Sequence, residues 1–143
     1  MTQLVRVQNF LLSVDGFGAG EGQCLDSPFG RATAPVEGGA AANIPADLVG
    51  WAFGTASWAG RTEPGGPRGI DDYFTRDYAH NIGAEIMGRN KFGPQRGPWP
   101  DDGWRGWWGD DPVFHTPVFV LTHYPRPPMV MDGGTTFHFI DAS

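Results

Sequence analysis

Cysteine is almost missing. Cys24 is the single thiol among 143 residues, so no intrachain disulfide framework can form. Positive charge is also scarce. Lys and Arg total 10 against 16 Asp and Glu, a formal charge of −6 at pH 7. No basic cluster is present, which argues against a nucleic-acid surface, because phosphate-backbone binders concentrate a positive field. A few local donors can still hold a small anionic ligand against an unfavourable net charge. No apolar run approaches the roughly 20 residues that span a bilayer. The opening MTQLVRVQNFLLSVDG has no small-residue cleavage pattern, and the expected setting is the cytoplasm. His80, His115, His123 and His138 show none of the close-set pairs that structural metal sites use, so no metal is expected. No Ser or Cys nucleophile arrangement is visible either.

Aromatic residues, glycine and proline are plentiful: ten Phe, six Trp, 22 Gly and 13 Pro. Large apolar side chains oppose disorder, and the combination reads as one folded domain over residues 1–143 with long, turn-rich loops. Leu4 to Val14 alternates and then becomes apolar on both parities, as in a strand central at its far end. Asp15-Gly16 ends it. Leu48, Ala52 and Ala56 recur at helical spacing behind Asp47, a possible cap. A second helix is expected from Asp71 or Asp72 through Phe74, Tyr78 and Ile82, stopping at Gly83. Ala84–Met87 is a short strand. Gly93 to Pro112 is loop. Val118 to Leu121 has the unbroken apolar run of a strand buried on both faces. Pro125, Pro127 and Pro128 forbid regular structure behind it. Thr135 to Ile140 is another strand, and Asp141-Ala142-Ser143 reads as a helix start. Strand, helix, helix and then three strands point to a layered α/β domain with a largely parallel sheet flanked by helices.

Two strand ends attract chemistry. Gly88, Arg89 and Asn90 follow Ala84–Met87 at the carboxyl end where α/β sheets bind ligands. Glycine lets a phosphate approach the backbone, and arginine offers a planar fork of donors. The competing reading is a surface turn with a solvated arginine. Thr122 and His123 follow the second strand in the same way, and the competing reading there is a satisfied polar pair. Trp99, Trp104, Trp107 and Trp108 crowd one loop. Their indoles could form a ligand-binding or assembly platform, fold over the domain, or border the substrate side.

Ser13-Val14-Asp15-Gly16-Phe17, the stretch from Ile82 to Phe92, the stretch from Trp107 to His123, and Gly133 to Ile140 together resemble the riboflavin-biosynthesis reductase domain. That is the dihydrofolate-reductase-like domain of bifunctional deaminase-reductases, which also occurs free-standing. The resemblance implies that fold and a dependence on NADPH. It would place Gly88, Arg89 and Asn90 at the cofactor phosphates and Thr122 and His123 near the adenosine ribose. Asp15, Gly16 and Phe17 would border nicotinamide and substrate, with Asp15 the candidate proton source and Trp107 and Trp108 on the substrate side. A carboxyl at a strand end beside Gly16 is more often a turn former that hydrogen-bonds its own backbone. The reaction implied is hydride transfer to a C=N or C=O bond of a small pteridine- or pyrimidine-like substrate. The family continues beyond this sequence with a glycine-rich phosphate turn, further helices and strands. The fold is therefore expected to be incomplete at its C-terminus, completed by a further segment or a second chain, and dimers are common among such proteins.

Overall fold

The computed structural model describes residues 4–7, 22, 24, 30, 51–52, 54–59, 66–76, 80–101 and 103–142. The chain divides into two compact units, Met1–Tyr78 and Ala79–Ser143. Most of the strand expected from Leu4 to Val14 lies outside the described residues. Residues 4–7 are exposed and carry no strand pairing.

In the first unit the expected helix around Ala52 is interrupted. Trp51 and Ala52 are helical, a turn follows at Gly54 and Thr55, and helix α1 covers Ala56–Ala59. The Thr55 hydroxyl donates to the Ala52 carbonyl at 2.8 Å, a local bond that competes with continuous helix. Helix α2 covers Ile70–Thr75 with Asp71 and Asp72 in its first turn. It ends earlier than the Phe74, Tyr78, Ile82 spacing implies. Asn81 takes a left-handed φ of 59°, which Asn tolerates and a helix does not. Ile82 is therefore off the helix, and Phe74 is exposed.

Asp72 does more than favour its own helix end. Its Oδ1 accepts the Ser57 backbone N–H at 2.6 Å, satisfying a donor at the start of α1 that has no partner within the helix. The Thr55 and Thr75 hydroxyls share a bond of 2.8 Å beside it. The two short helices are tied by polar contacts.

The second unit is a four-stranded mixed sheet, and with its few helices the chain has an α/β character. Strand β1 is Glu85–Gly88, helix α3 is Arg89–Phe92, and β2 is Pro117–Thr122. Strand β3, Met129–Val130, leads through a 3-10 turn at Asp132–Gly134 into β4, Thr136–Asp141. The order across the sheet is β1-β2-β4-β3. The first three are parallel, and β3 runs antiparallel along β4. The prolines at 125, 127 and 128 delay β3 without preventing it. Asp141 does not begin a helix. It pairs with Thr122 as the last residue of β4, and the Ala142 N–H donates to the Thr122 carbonyl at 3.2 Å.

Register explains the burial. Met87, Val118, Val120, Phe137 and Phe139 share one face and form the core with Phe92, Phe114 and Met131. Ile86, Leu121 and Ile140 alternate onto the other face and stay exposed. Strand β2 is consequently covered on one face, contrary to its unbroken apolar run. Among the described residues of this unit α3 is the only α-helix, so the expected flanking helices are not seen there.

Phe92 is the hub of that core. Its ring meets Phe137, Phe139 and Trp99 edge-on at centroid distances of 5.0, 5.1 and 5.9 Å, the geometry favoured by the ring quadrupole. The loop from Gly93 to Pro112 folds its indoles over the same face. Trp108 packs on Phe114 and Phe137, and Trp104 donates from Nε1 to the Phe92 carbonyl at 3.0 Å. Gly106, at φ 97°, passes so close to this cluster that a Cβ would lie 3.1 Å from Trp108 and 3.2 Å from Phe92.

Two outcomes follow. Phe92→Ala leaves a large hole in a close-packed site and should cost about 3–5 kcal/mol, readable as a lowered denaturation midpoint; a loss under about 1 kcal/mol would contradict the hub. The Ser57 backbone N–H, then the Ser57 side chain, hold the Asp72 carboxyl below its ordinary value; burial opposes them, and Arg68 and Arg76 add smaller pulls. A folded pKa below the unfolded one, about 3.9, means stability that is full above that value and is lost as pH falls through the folded pKa. Asp72→Asn should therefore flatten the acid limb of the first unit's stability against pH, measured by thermal melting from pH 6 to 3.

Candidate functional site

Strands β1, β2 and β4 run parallel, so their carboxyl ends lie on one rim. A cleft of about 240 Å³ opens there, lined by Arg89 and Asn90 after β1, Leu121 to Tyr124 at the end of β2, Ala142 after β4, and Gln95 to Gly97 of the following loop. Four residues singled out from sequence, Arg89, Asn90, Thr122 and His123, are thus brought together. Gly88 ends β1 beside them without lining the cleft. Its φ of −75° is open to any residue and a Cβ would meet nothing within 4 Å, so neither conformation nor packing demands a glycine there. Asp15, Gly16 and Phe17 lie outside the described residues.

Arg89 is fixed from several sides. Its Nη1 donates to the Gly97 carbonyl. The guanidinium carbon lies 3.8 Å from the centre of the Trp99 ring and 5.3 Å from that of Tyr124, positions where a cation is drawn to the ring quadrupole. Trp99 is anchored in turn, donating from Nε1 to the Tyr124 carbonyl at 2.6 Å. Nε and Nη2 of Arg89 are buried and have no hydrogen-bond partner. Leaving donors of a charged group unsatisfied is costly, a cost that a ligand reaching these two would relieve. Burial pushes the guanidinium below its ordinary value; Tyr124 opposes this and Arg96 adds to it. Arginine nonetheless stays charged throughout the physiological range.

The other members are more open. Arg96 donates from Nη1 to Asn90 Oδ1 at 2.6 Å. Thr122 is buried, and its Oγ1 accepts the Tyr124 N–H at 3.1 Å. His123 Nδ1 stands 3.8 Å from Asp141 Oδ1, both largely exposed. Among the described residues no carboxylate lines the cleft. In a chain of net charge −6, this is a locally cationic recess.

Arg96, Gln95, Tyr124 and Arg126 were not anticipated. Arg126 sits between prolines, yet its guanidinium lies 4.2 Å from the Trp99 centroid and 4.3 Å from that of Phe139, and its Nη2 donates to the Trp104 carbonyl at 2.9 Å. Only the arginine itself was a signal. Trp107 and Trp108, expected on the substrate side, are outside the cleft lining. Trp107 packs edge-on against Trp104 at 4.9 Å and Trp108 joins the core. Half-buried, these indoles cover the domain instead of forming an open platform. Among the described residues no cluster of His, Cys, Asp or Glu could hold a metal ion, and no helix is long and apolar enough to cross a membrane.

No family model matches the chain, and no curated protein matches it.

Replacing Trp99 by leucine removes one indole hydrogen bond, worth about 1 kcal/mol, and two cation–ring contacts of about 0.5–1 kcal/mol each. Chemical denaturation of Trp99→Leu should show a loss of about 2–3 kcal/mol. A change within about 0.5 kcal/mol would mean that the ring does not hold the arginines.

Proposed function

We propose that the chain is a nucleotide-dependent reductase domain of the dihydrofolate-reductase-like class, using NADPH to reduce a small C=N or C=O substrate in the cytoplasm. The observation that carries this reading is the cleft itself. Arg89, with two buried and unpartnered donors, opens beside Asn90, Thr122 and His123 at the carboxyl rim of parallel strands, where open α/β sheets take ligands.

The residues present fit a nucleotide phosphate. Arg89 would hold phosphate oxygens through Nε and Nη2, the side-on pair that matches an oxyanion bidentately. Gly88 leaves the approach to the β1 terminus free of a side chain. Tyr124 offers a ring, and Thr122 and His123 stand where a ribose would lie. A volume of about 240 Å³ is below the roughly 300–1,000 Å³ of whole-ligand pockets and suits one end of a dinucleotide. NADPH would supply the hydride, while the protein contributes position and electrostatics. Asp15 would be the proton source, with Gly16 and Phe17 beside the reacting ring. Substrate contacts, a dimer partner and any segment that completes the sheet belong to the same proposal.

Adding NADPH to the intact chain should quench tryptophan fluorescence saturably, with NADH weaker. Arg89→Gln should weaken NADPH binding about 10- to 100-fold, since a charge-assisted hydrogen bond is worth about 1.5–3 kcal/mol. No response to either nucleotide would contradict the reading.

A further inference from the structure

Arg96 was no part of the phosphate constellation expected from sequence, yet it lines the same cleft as Arg89. The two are set by one bond. Arg89 Nη1 holds the Gly97 carbonyl, one residue beyond Arg96, so the loop that carries the second guanidinium is pinned by the first. Like charges facing one small volume repel, and Arg96 accordingly makes Arg89 harder to keep charged. Among the described residues no carboxylate lines the cleft to offset them. Asp141 is not among the lining residues, although its Oδ1 stands 3.8 Å from His123 Nδ1. A singly charged anion can neutralise one guanidinium; a doubly charged one can neutralise both.

The arrangement is ready for such a ligand. Arg89 retains Nε and Nη2. Arg96 is exposed and spends Nη1 on Asn90 Oδ1 at 2.6 Å, with a long contact of 3.5 Å to the Pro94 carbonyl. Holding the amide by its oxygen leaves the Asn90 NH₂ as the end available to a ligand, a third donor in the lining.

We infer that Arg96 is a specificity-determining residue that makes this cleft select a phosphomonoester dianion over a phosphodiester. A phosphomonoester carries a charge of about −1.5 to −2 near neutral pH, whereas a diester carries one negative charge. The inference rests on reading the cleft as a phosphate site, and not on the reduction proposed above.

The test is a titration of the intact protein at pH 8, followed by backbone amide shifts. Adenosine 2′-monophosphate and adenosine 2′,3′-cyclic monophosphate share base and sugar and differ in phosphate charge. The monoester should bind about tenfold or more tightly than the cyclic diester. Arg96→Gln keeps a donor for Asn90 and removes the charge; it should cost the monoester about tenfold and the diester threefold or less. Arg96→Lys should restore most of the preference. Equal losses for both ligands in Arg96→Gln, or no loss while Arg89→Gln weakens both, would overturn the role of Arg96 and leave the nucleotide reading standing. Should neither nucleotide bind, methyl phosphate and dimethyl phosphate decide. An Arg96-dependent preference for methyl phosphate supports the inference while the nucleotide reading fails. Absence of binding by either overturns both.

Discussion

Arg89 is a full charge held at the half-buried lip of an aromatic cluster, with Trp99 as its support. The ring lies 3.8 Å from the guanidinium carbon and is itself hydrogen-bonded to the Tyr124 carbonyl. Through Tyr124 that bond joins the end of β2 to the loop after α3. Arg126 sits over the same indole and over Phe139. An indole surface can take up two weakly hydrated guanidiniums where an ammonium would be poorly accommodated. The cleft and the core are thus one construction: displacing Trp99 disturbs Phe92 and Phe139 on one side and Arg89 on the other.

This support explains why a rim made largely of loop can be exact enough to bind. Helix α3 is a single turn, and the loop behind it is rich in glycine and proline. Rigidity comes from side chains that reach back to backbone carbonyls: Arg89 to Gly97, Trp104 to Phe92, Trp99 to Tyr124 and Arg126 to Trp104. At the far end, Thr135 Oγ1 donates to the Pro112 carbonyl and accepts the His115 N–H, closing the loop onto the β3–β4 hairpin. Each bond satisfies a carbonyl or amide that the loop's irregular path leaves without a ladder partner.

The central strands were legible because their signal is local. Val118 to Leu121 is an unbroken apolar run and Thr135 to Ile140 is rich in aromatic and β-branched residues, and the alternation of elements points to a largely parallel sheet. What was not legible depends on distant partners. The exposed face through Ile86, Leu121 and Ile140 is invisible in a run that reads as buried on both sides. Strand β3 is two residues long behind three prolines and exists because β4 lies beside it. The helix that apolar spacing extends to Ile82 stops at Thr75. Asp72 was read for its place in a helix dipole, whereas its oxygen serves a different helix. For the site, Arg89, Asn90, Thr122 and His123 were found because strand ends can be located from sequence. Arg96 and Tyr124 were missed because only the folded loop brings them to that rim.

The account stands most directly on where a nucleotide lands. Backbone amide shifts of the intact chain, recorded with and without NADPH, should change in one contiguous group: Gly88 to Gly97, Leu121 to Tyr124, and Ala142. Shifts confined to the opposite sheet face around Ile86 and Ile140, or to the Trp107–Trp108 segment with the Arg89 region unmoved, would contradict it.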